Sequence, residues 1–558
     1  MNGAEILLDC LKREGVEVIF GISGGAVLPI YDALNTQDHI WSILTRHEQG
    51  AAHMAEGYAK ATGRIGVCLG TSGPGATNLV TGICDAMMDS VPILALTGQV
   101  PTPMIGKDAF QECDIFGITL PIVKHSRLVK NVRDLPGFVK ELMYVCRTGR
   151  PGPVLLDVPR DVAQATCNDW EYPETFNLRG YNPCFPVDLS GLAAAARLMA
   201  EAERPLLYVG GGACHAEATE ELVALAERLD APCTTTLMGK GAFPDGHPLS
   251  VGAPGMHGTA YANWAMHQSD LLIALGVRFD DRVTGKLSEF APNAKVIHVD
   301  IDPAELGKNR RPDVGLVCDV KTAVRELLKL VEPKCHKDWN ALIAQWKREQ
   351  PLRYSQANGH VRAQHALQVI AEVTGGDAIV TTDVGQHQMW AMQYYPCSRP
   401  RQFITSGGLG TMGFGFPAAI GAKVGCPDAE VWCISGDGSF QMNLQELATS
   451  MYYGIPVKIA IMNNASLGMV RQWQKMFYGK RYGGIDLAEC PNFVKLAEAY
   501  GAVGIKVEQA GEVEGAVKLA HETNDRTVVI DFRCDPEEDV YPMIPSGTTV
   551  HDMRLQPD

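Results

Sequence analysis

The chain lacks the features that mark several functional classes. No apolar run is long enough to cross a bilayer as a helix, so a helical membrane-spanning role is not expected. No two of the 16 cysteines form a CxxC pair, and several, such as Cys68 in IGVCLG and Cys433 in VWCIS, sit inside apolar runs. That usage points to reduced thiols in a core rather than to disulfides or a metal cluster. Positive charge is in short supply. Lys and Arg number 49 against 64 Asp and Glu, a net −15 that argues against nucleic acid or an anionic membrane as partner. The opening MNGAEILLDCLKREG reads as an amphipathic helix rather than a signal or transit segment, so a cytoplasmic protein is expected.

The 558 residues suit about three domains, and 57 glycines suit many βα turns. The most informative stretch runs from Val431 to Asn464. Its apolar run Val431–Ser435 ends in Gly436-Asp437-Gly438, and a second run, Val457–Met462, ends in Asn463-Asn464. Between them Leu444, Leu447, Ala448, Met451 and Tyr452 recur at helical spacing, which gives strand, helix, parallel strand. A right-handed crossover sets both strand ends at one rim, with Asp437 and Asn464 beside a bare glycine turn. Magnesium needs few protein oxygens when phosphate and water complete its octahedron, so the pair reads as a magnesium and diphosphate site.

The first domain, about 1–165, repeats strand-then-turn signals: VEVIFG, IWSIL, IGVCLG, ILALTG and PVLLDV. Such runs describe a parallel sheet buried on both faces. Three places in it carry chemistry-bearing residues. A strand enters a helix through Gly24-Gly25; Glu48 follows a strand and opens an Ala-rich helix, where a carboxylate also suits the helix N-terminus; and the loop Gly98–Asp114 carries Phe110 and Gln111. Pro173–Asp188 reads as a linker. A central domain, about 189–333, has Gly210-Gly211-Gly212 after an apolar strand, polar loops at 252–263 and 276–286, and Asp300 and Asp302 where a ribose hydroxyl can be met. A second linker, KREQPLRYSQANG, precedes a last domain at about 360–545. There Gly385-Gln386-His387 forms a loop suited to phosphate, and Met412 stands in the bare segment Gly407–Gly413.

FGISGGAVLPIYDAL, RHEQGAAHMAEGYAKATG, GQVPTPMIGKDAFQE, GMHGTAYAN, GVRFDDRVTGK, ITSGGLGTMGFGFPAAIGA, GDGSFQMNLQEL and NNASLGMVRQWQ, in this order, resemble the acetohydroxyacid (acetolactate) synthase large-subunit family of thiamin-diphosphate enzymes. The resemblance implies an α/β fold of three doubly wound parallel-sheet domains: pyrimidine, FAD and diphosphate. It implies thiamin diphosphate, Mg²⁺ and FAD as cofactors, and 2-keto acids as substrates. Pyruvate would lose carbon dioxide, and its two-carbon unit would join a second pyruvate or 2-ketobutyrate in branched-chain amino acid biosynthesis.

Residue roles follow from the same resemblance. Glu48 matches the glutamate that bonds the aminopyrimidine N1′, Met412 the wedge that bends the cofactor, and Gly410 the carbonyl partner of its amino group. Asp437 and Asn464 match metal ligands through their side chains and Ser466 through its carbonyl. Gly385, Gln386, His387, Gly436, Gly438 and Ser439 match the diphosphate cradle. Arg150, Met256, His257, Gly258 and Arg278 resemble the FAD-binding set, and Gly210, Gly276, Asp300 and Asp319 are further cofactor-binding candidates in the central domain. Gly25 and Gln111 fall near the reacting carbons, and Phe110, Arg160, Met469 and Trp473 at the substrate, with Trp473 favouring 2-ketobutyrate as acceptor. A homodimer or homotetramer with sites shared between subunits is implied, together with a small regulatory subunit. Ile22-Ser23 stands where Tyr-Pro is usual, Arg160 where Lys is usual, and VYPMIPSGTT departs slightly from a double-proline form. A flavin-dependent pyruvate oxidase and a non-catalytic nucleotide-binding protein remain the alternatives.

Overall fold

The computed structural model describes residues 1–183, 188–356, 359–488 and 491–556. Parts of both expected linkers, residues 184–187 and 357–358, lie outside the described residues. The strands form three fully parallel sheets.

In the first sheet the strands β1 (Val18–Gly21), β2 (Trp41–Leu44), β3 (Gly66–Gly70), β4 (Ile93–Gln99), β5 (His125–Leu128) and β6 (Val154–Pro159) lie in the order β2-β1-β3-β4-β6-β5. Alternation sorts their side chains to two faces. Phe20 and Cys68 enter one core, while Ile19 and Leu69 enter the other with the helices Gly3–Arg13 and Leu135–Arg147. The second sheet holds β7 (Pro205–Val209), β8 (Cys233–Thr235), β9 (Leu271–Leu275), β10 (Lys295–Asp300) and β11 (Val314–Val317), ordered β11-β10-β9-β7-β8. The third holds β12 (Ile379–Thr382), β13 (Phe403–Thr405), β14 (Val431–Gly436), β15 (Lys458–Asn463), β16 (Val503–Val507) and β17 (Val528–Arg533), ordered β13-β12-β14-β15-β17-β16.

The first and third sheets therefore share one strand order, and their corresponding helices meet. The helix Glu48–Thr62, which follows β2, packs against the helix Gly415–Gly425, which follows β13. Gly57 and Gly421 make the close crossing, since a Cβ on either would run into the backbone of the other helix. A single apolar core joins both domains, from Met54 and Tyr58 to Phe414 and Ala418.

Several local readings differ from the sequence expectation. The edge strand β5, HSRL, is too polar for a periodicity signal, and β13 is only three residues long. The helix Lys337–Glu349 extends the central domain past 333: its Trp339 indole donates to Pro205 O at 3.1 Å and Trp346 packs edge-on against Trp264. The carboxyl-terminal segment also returns to the central domain, where Ile544 N donates to Met256 O at 2.8 Å. The 14 described cysteines are all free, as their placement in apolar runs implied.

Candidate active site

Parallel strands leave their carboxyl ends at one rim, and Glu48, Gly385, Asp437 and Asn464 each follow such an end. In the third sheet β14 and β15 are neighbours, with Gly436 paired to Met462, so Asp437 and Asn464 emerge side by side. Asp437 is 2% exposed, and burial pushes its carboxyl up to about 7 against N–H donors from Gly438 and Ser466. Asn464 Oδ1 accepts from Ser466 N at 3.2 Å, and its amide donates to Gln386 Oε1 at 3.1 Å. Gln386 in turn donates to Gln472 Oε1 at 2.9 Å. These bonds place the carboxylate, amide and Ser466 turn in one cluster.

The loop after β12 completes this end. Gly385 caps the helix Gln386–Tyr394, and the His387 ring lies against both Gly385 and Gly436, where a Cβ would collide with it. Burial drives His387 down to about 3, so the ring is neutral, and its Nε2 is buried without a partner among the described residues. Ser439 Oγ donates to Val384 O at 3.1 Å. Met412 stands over this turn, its methyl 3.7 Å from the point a Cβ on Gly438 would occupy, and Gly410 lies against Val384. A buried carboxylate, an amide oxygen, glycine walls and an orphaned ring nitrogen suit a metal-bound diphosphate.

Glu48 opens the Glu48–Thr62 helix after β2 and is 8% exposed. Its Oε2 accepts from Asn78 Nδ2 at 2.9 Å, and Gly75 lies beside its other oxygen. Asn78, in the segment TSGPGATN, carries no role in the sequence reading. Gln111 backs onto Gly73 in the same segment and holds a left-handed backbone with φ 59°, a conformation that costs energy in a non-glycine residue and gathers at functional sites. Phe110 beside it is 88% exposed, and Gly25 is open to solvent. Arg160 is exposed next to Asp161, whose carboxylate accepts from Thr102 N at 2.9 Å and ties this loop to the end of β6.

Sequence comparison decides the family. Thiamine pyrophosphate enzyme domains match at 1–118 (N-terminal TPP binding), 192–327 (central) and 383–532 (C-terminal TPP binding). An acetolactate synthase of Mycobacterium bovis is 51% identical over 560 residues, covering 98% of this chain and 90% of that protein. The large subunits of Haemophilus influenzae and Corynebacterium glutamicum are 46% and 48% identical, covering 100% and 99% of this chain and 98% and 90% of their own. The chain belongs to the acetolactate synthase large-subunit family.

Three TPP-type domains make thiamin diphosphate the cofactor of a family member. The flavin set is more dispersed than the diphosphate set. Gly210 follows β7 and Gly276 follows β9, and a Cβ on Gly210 would strike the Gly276 carbonyl, so the two strand ends form a bare floor. Met256 N donates to Arg282 O at 2.8 Å. His257 is buried, held down to about 4 by burial, and its Nδ1 has no partner among the described residues. Gly258 lines a cavity of ≈ 550 Å³ with Thr236, Tyr261 and Gln393. Arg278 is half-buried, and Asp300, raised to about 6 by burial, ends β10. Arg150 reaches this domain from the first, donating to Glu305 at 2.8 Å and Ser90 at 2.8 Å. Asp319 caps the helix Val320–Leu328 by accepting from Thr322 N at 3.0 Å, a structural task independent of any cofactor. The bare floor and the orphaned imidazole suit a flat nucleotide cofactor.

Met469 and Trp473 share the helix Gly468–Phe477. Arg471 anchors it, donating to Glu538 O and Asp539 Oδ1, both at 2.7 Å. Trp473 turns toward the central domain, with the Arg282 guanidinium 5.8 Å from its ring.

Proposed function

We propose that the chain is the catalytic subunit of an acetolactate synthase: it decarboxylates pyruvate and joins the two-carbon unit to a second 2-keto acid, pyruvate or 2-ketobutyrate, for branched-chain amino acid synthesis. The observation that carries this reading is Asp437 and Asn464 emerging from adjacent parallel strands, within a chain that matches acetolactate synthases along its full length. Thiamin diphosphate supplies the nucleophilic carbon and the electron sink for loss of the carboxylate. Asp437, Asn464 and the Ser466 carbonyl hold Mg²⁺, while Gly385, Gln386, His387, Gly436, Gly438 and Ser439 surround the diphosphate. Met412 and Gly410 would seat the bound cofactor, the one by its side chain and the other by its carbonyl. Glu48 holds a proton at the pyrimidine N1′ from a site that excludes bulk water. Gln111 and Gly25 border the reacting carbons, and Phe110, Arg160, Met469 and Trp473 shape the acceptor pocket.

FAD takes the floor of Gly210 and Gly276, with Arg150, Met256, His257, Gly258, Arg278, Asp300 and Asp319 around it, and has no net redox role in ligation. The working unit is a homodimer or homotetramer, in which Glu48 of one subunit completes the Asp437 site of another. Apolar side chains left exposed in the segments that follow β1 and β4, Leu28 at 50%, Met104 at 44% and Phe110 at 88%, support such a shared surface. A small regulatory subunit is the further partner, and the cytoplasm the compartment. The test is product analysis with thiamin diphosphate, Mg²⁺ and FAD, supplying pyruvate alone and then with 2-ketobutyrate while following oxygen. Acetolactate and then acetohydroxybutyrate, without stoichiometric oxygen loss, is expected. Acetate or acetyl phosphate with oxygen consumed would make the protein an oxidase instead.

A further inference from the structure

The loop Ser406–Gly413, which carries Gly410 and Met412, is poor in side chains that could hold its shape. Its C-terminal end is secured inside its own domain, where buried Asp383 accepts from Gly413 N at 2.7 Å, Gly415 N at 3.1 Å and Ser435 Oγ at 2.7 Å. Its N-terminal end is secured from the other domain. Asp89, at the end of the helix Val80–Asp89, accepts from Gly408 N at 2.7 Å on one oxygen and from Gly407 N at 3.1 Å on the other. One turn earlier, Asp85 accepts from Ser406 Oγ at 2.7 Å, and that hydroxyl accepts from Gly410 N at 3.1 Å and Thr411 N at 2.9 Å. Lys60, in the last turn of the Glu48–Thr62 helix, donates to Asp89 Oδ2 at 2.7 Å and to Thr405 O at 2.5 Å, with its ammonium 4.7 Å from the Phe414 ring. Behind Asp85, His53 Nδ1 lies 3.9 Å from its free oxygen and pairs with Glu56 at 2.8 Å.

A counterpart runs in the opposite direction across the seam. Glu446, from the segment after β14, accepts from Arg46 N and His47 N, each at 3.0 Å, and so holds the turn that delivers Glu48. The segment after β3 and the segment after β14 occupy the same place in the shared strand order. Each domain thus holds the other's cofactor-facing turn with buried carboxylates.

We propose that Lys60, Asp85 and Asp89 are positioning residues for cofactor binding: through Ser406 and the Gly407 and Gly408 N–H groups they fix the Ser406–Gly413 loop, and with it the seat of Gly410 and Met412. They act through the loop and touch neither cofactor nor substrate. Charge-assisted bonds to buried backbone are the strong class of hydrogen bond, and a glycine-rich loop released from them has many other conformations to adopt.

This inference rests on the proposed placement of thiamin diphosphate at Gly410, Met412 and Asp437, so the experiment separates the two. Thiamin diphosphate binding, with Mg²⁺ in excess, is followed by quenching of tryptophan fluorescence in the full chain, and thermal unfolding of the cofactor-free protein is measured alongside. Asp437→Asn is expected to weaken binding; if it does not, the placement of the cofactor is wrong. Asp89→Asn turns an N–H group toward either a loop N–H or the Lys60 ammonium, and Ser406→Ala removes one oxygen from a packed site. Both are expected to raise the cofactor Kd about tenfold or more, while the unfolding temperature of the cofactor-free protein stays close to wild type. Ser406→Thr, which keeps the hydroxyl, is expected to restore binding. Should Asp89→Asn fail to fold, the Ser406 pair decides. Wild-type affinity in Ser406→Ala, or loss of affinity in both Ser406 variants, overturns the proposal while leaving the cofactor site intact.

Discussion

The first and third domains are one strand order used twice, yet they present opposite chemistry at their carboxyl rims. After β2 the first domain places a single carboxylate, Glu48, with an amide beside it. After β14 and β15 the third places a metal-type pair, Asp437 and Asn464, among glycines and a neutral histidine. The topology explains why both rims are open and why the Glu48–Thr62 and Gly415–Gly425 helices cross so closely. The chemistry is set by the few residues in the turns. A fold repeat alone therefore says where a site can form, and the turn residues say what it does.

The comparison can be broken at each of its parts. The largest effect is expected from Glu48→Gln, which removes the buried carboxylate from one rim and leaves the other untouched. Turnover should fall by about 10²–10⁴-fold with thiamin diphosphate affinity changed far less, as read by steady-state ligation rates and cofactor titration. Equal losses in both would assign Glu48 to binding alone. At the seam, Gly421→Ala should force the two crossing helices apart and cost about 1–3 kcal/mol of unfolding free energy in denaturant titration. An unchanged midpoint would mean that the crossing adapts without cost. If Trp473 shapes the proposed acceptor pocket, Trp473→Leu should lower the preference for 2-ketobutyrate over pyruvate by about tenfold in competition assays, since one methylene is worth about 1–3 kcal/mol in a fitted pocket.

A last effect concerns pH. Burial pushes Glu446 up to about 7, so the folded chain holds this proton more tightly than the unfolded chain. Its contribution is full below the ordinary glutamate range and is lost as pH rises through about 7, a change of about 3 kcal/mol at most. Glu446→Gln keeps an acceptor for Arg46 and His47 and should flatten that part of the stability curve between pH 5 and 8. A slope identical to wild type would place the proton elsewhere.

The division between what was legible in the sequence and what was not follows the range of the interactions. Strands such as Val431–Gly436 and Leu271–Leu275 announce themselves because burial on both faces demands continuous apolar runs. Asp437 and Asn464 were legible because one helix and two strand ends fix their proximity. The edge strand β5 was not, since its HSRL pattern meets solvent and carries no periodicity. Lys60, Asp85 and Asp89 were hidden for another reason. Their partners lie more than 300 residues away, and two aspartates one turn apart on a helix look like a solvated face until the opposing loop is present. Asp319 shows the converse: a candidate cofactor contact in the sequence, it caps a helix with its side chain.

The account turns on two unlike rims completing one site between subunits. Co-expressing chains that carry Glu48→Gln with chains that carry Asp437→Asn, each inactive alone, tests it most directly through acetolactate formation from pyruvate. Shared sites predict recovery to about a quarter of the wild-type rate, because half the dimers are mixed and each mixed dimer has one site with both residues intact. No recovery in a preparation shown to contain mixed dimers would place Glu48 and Asp437 in the same chain's site and contradict the account.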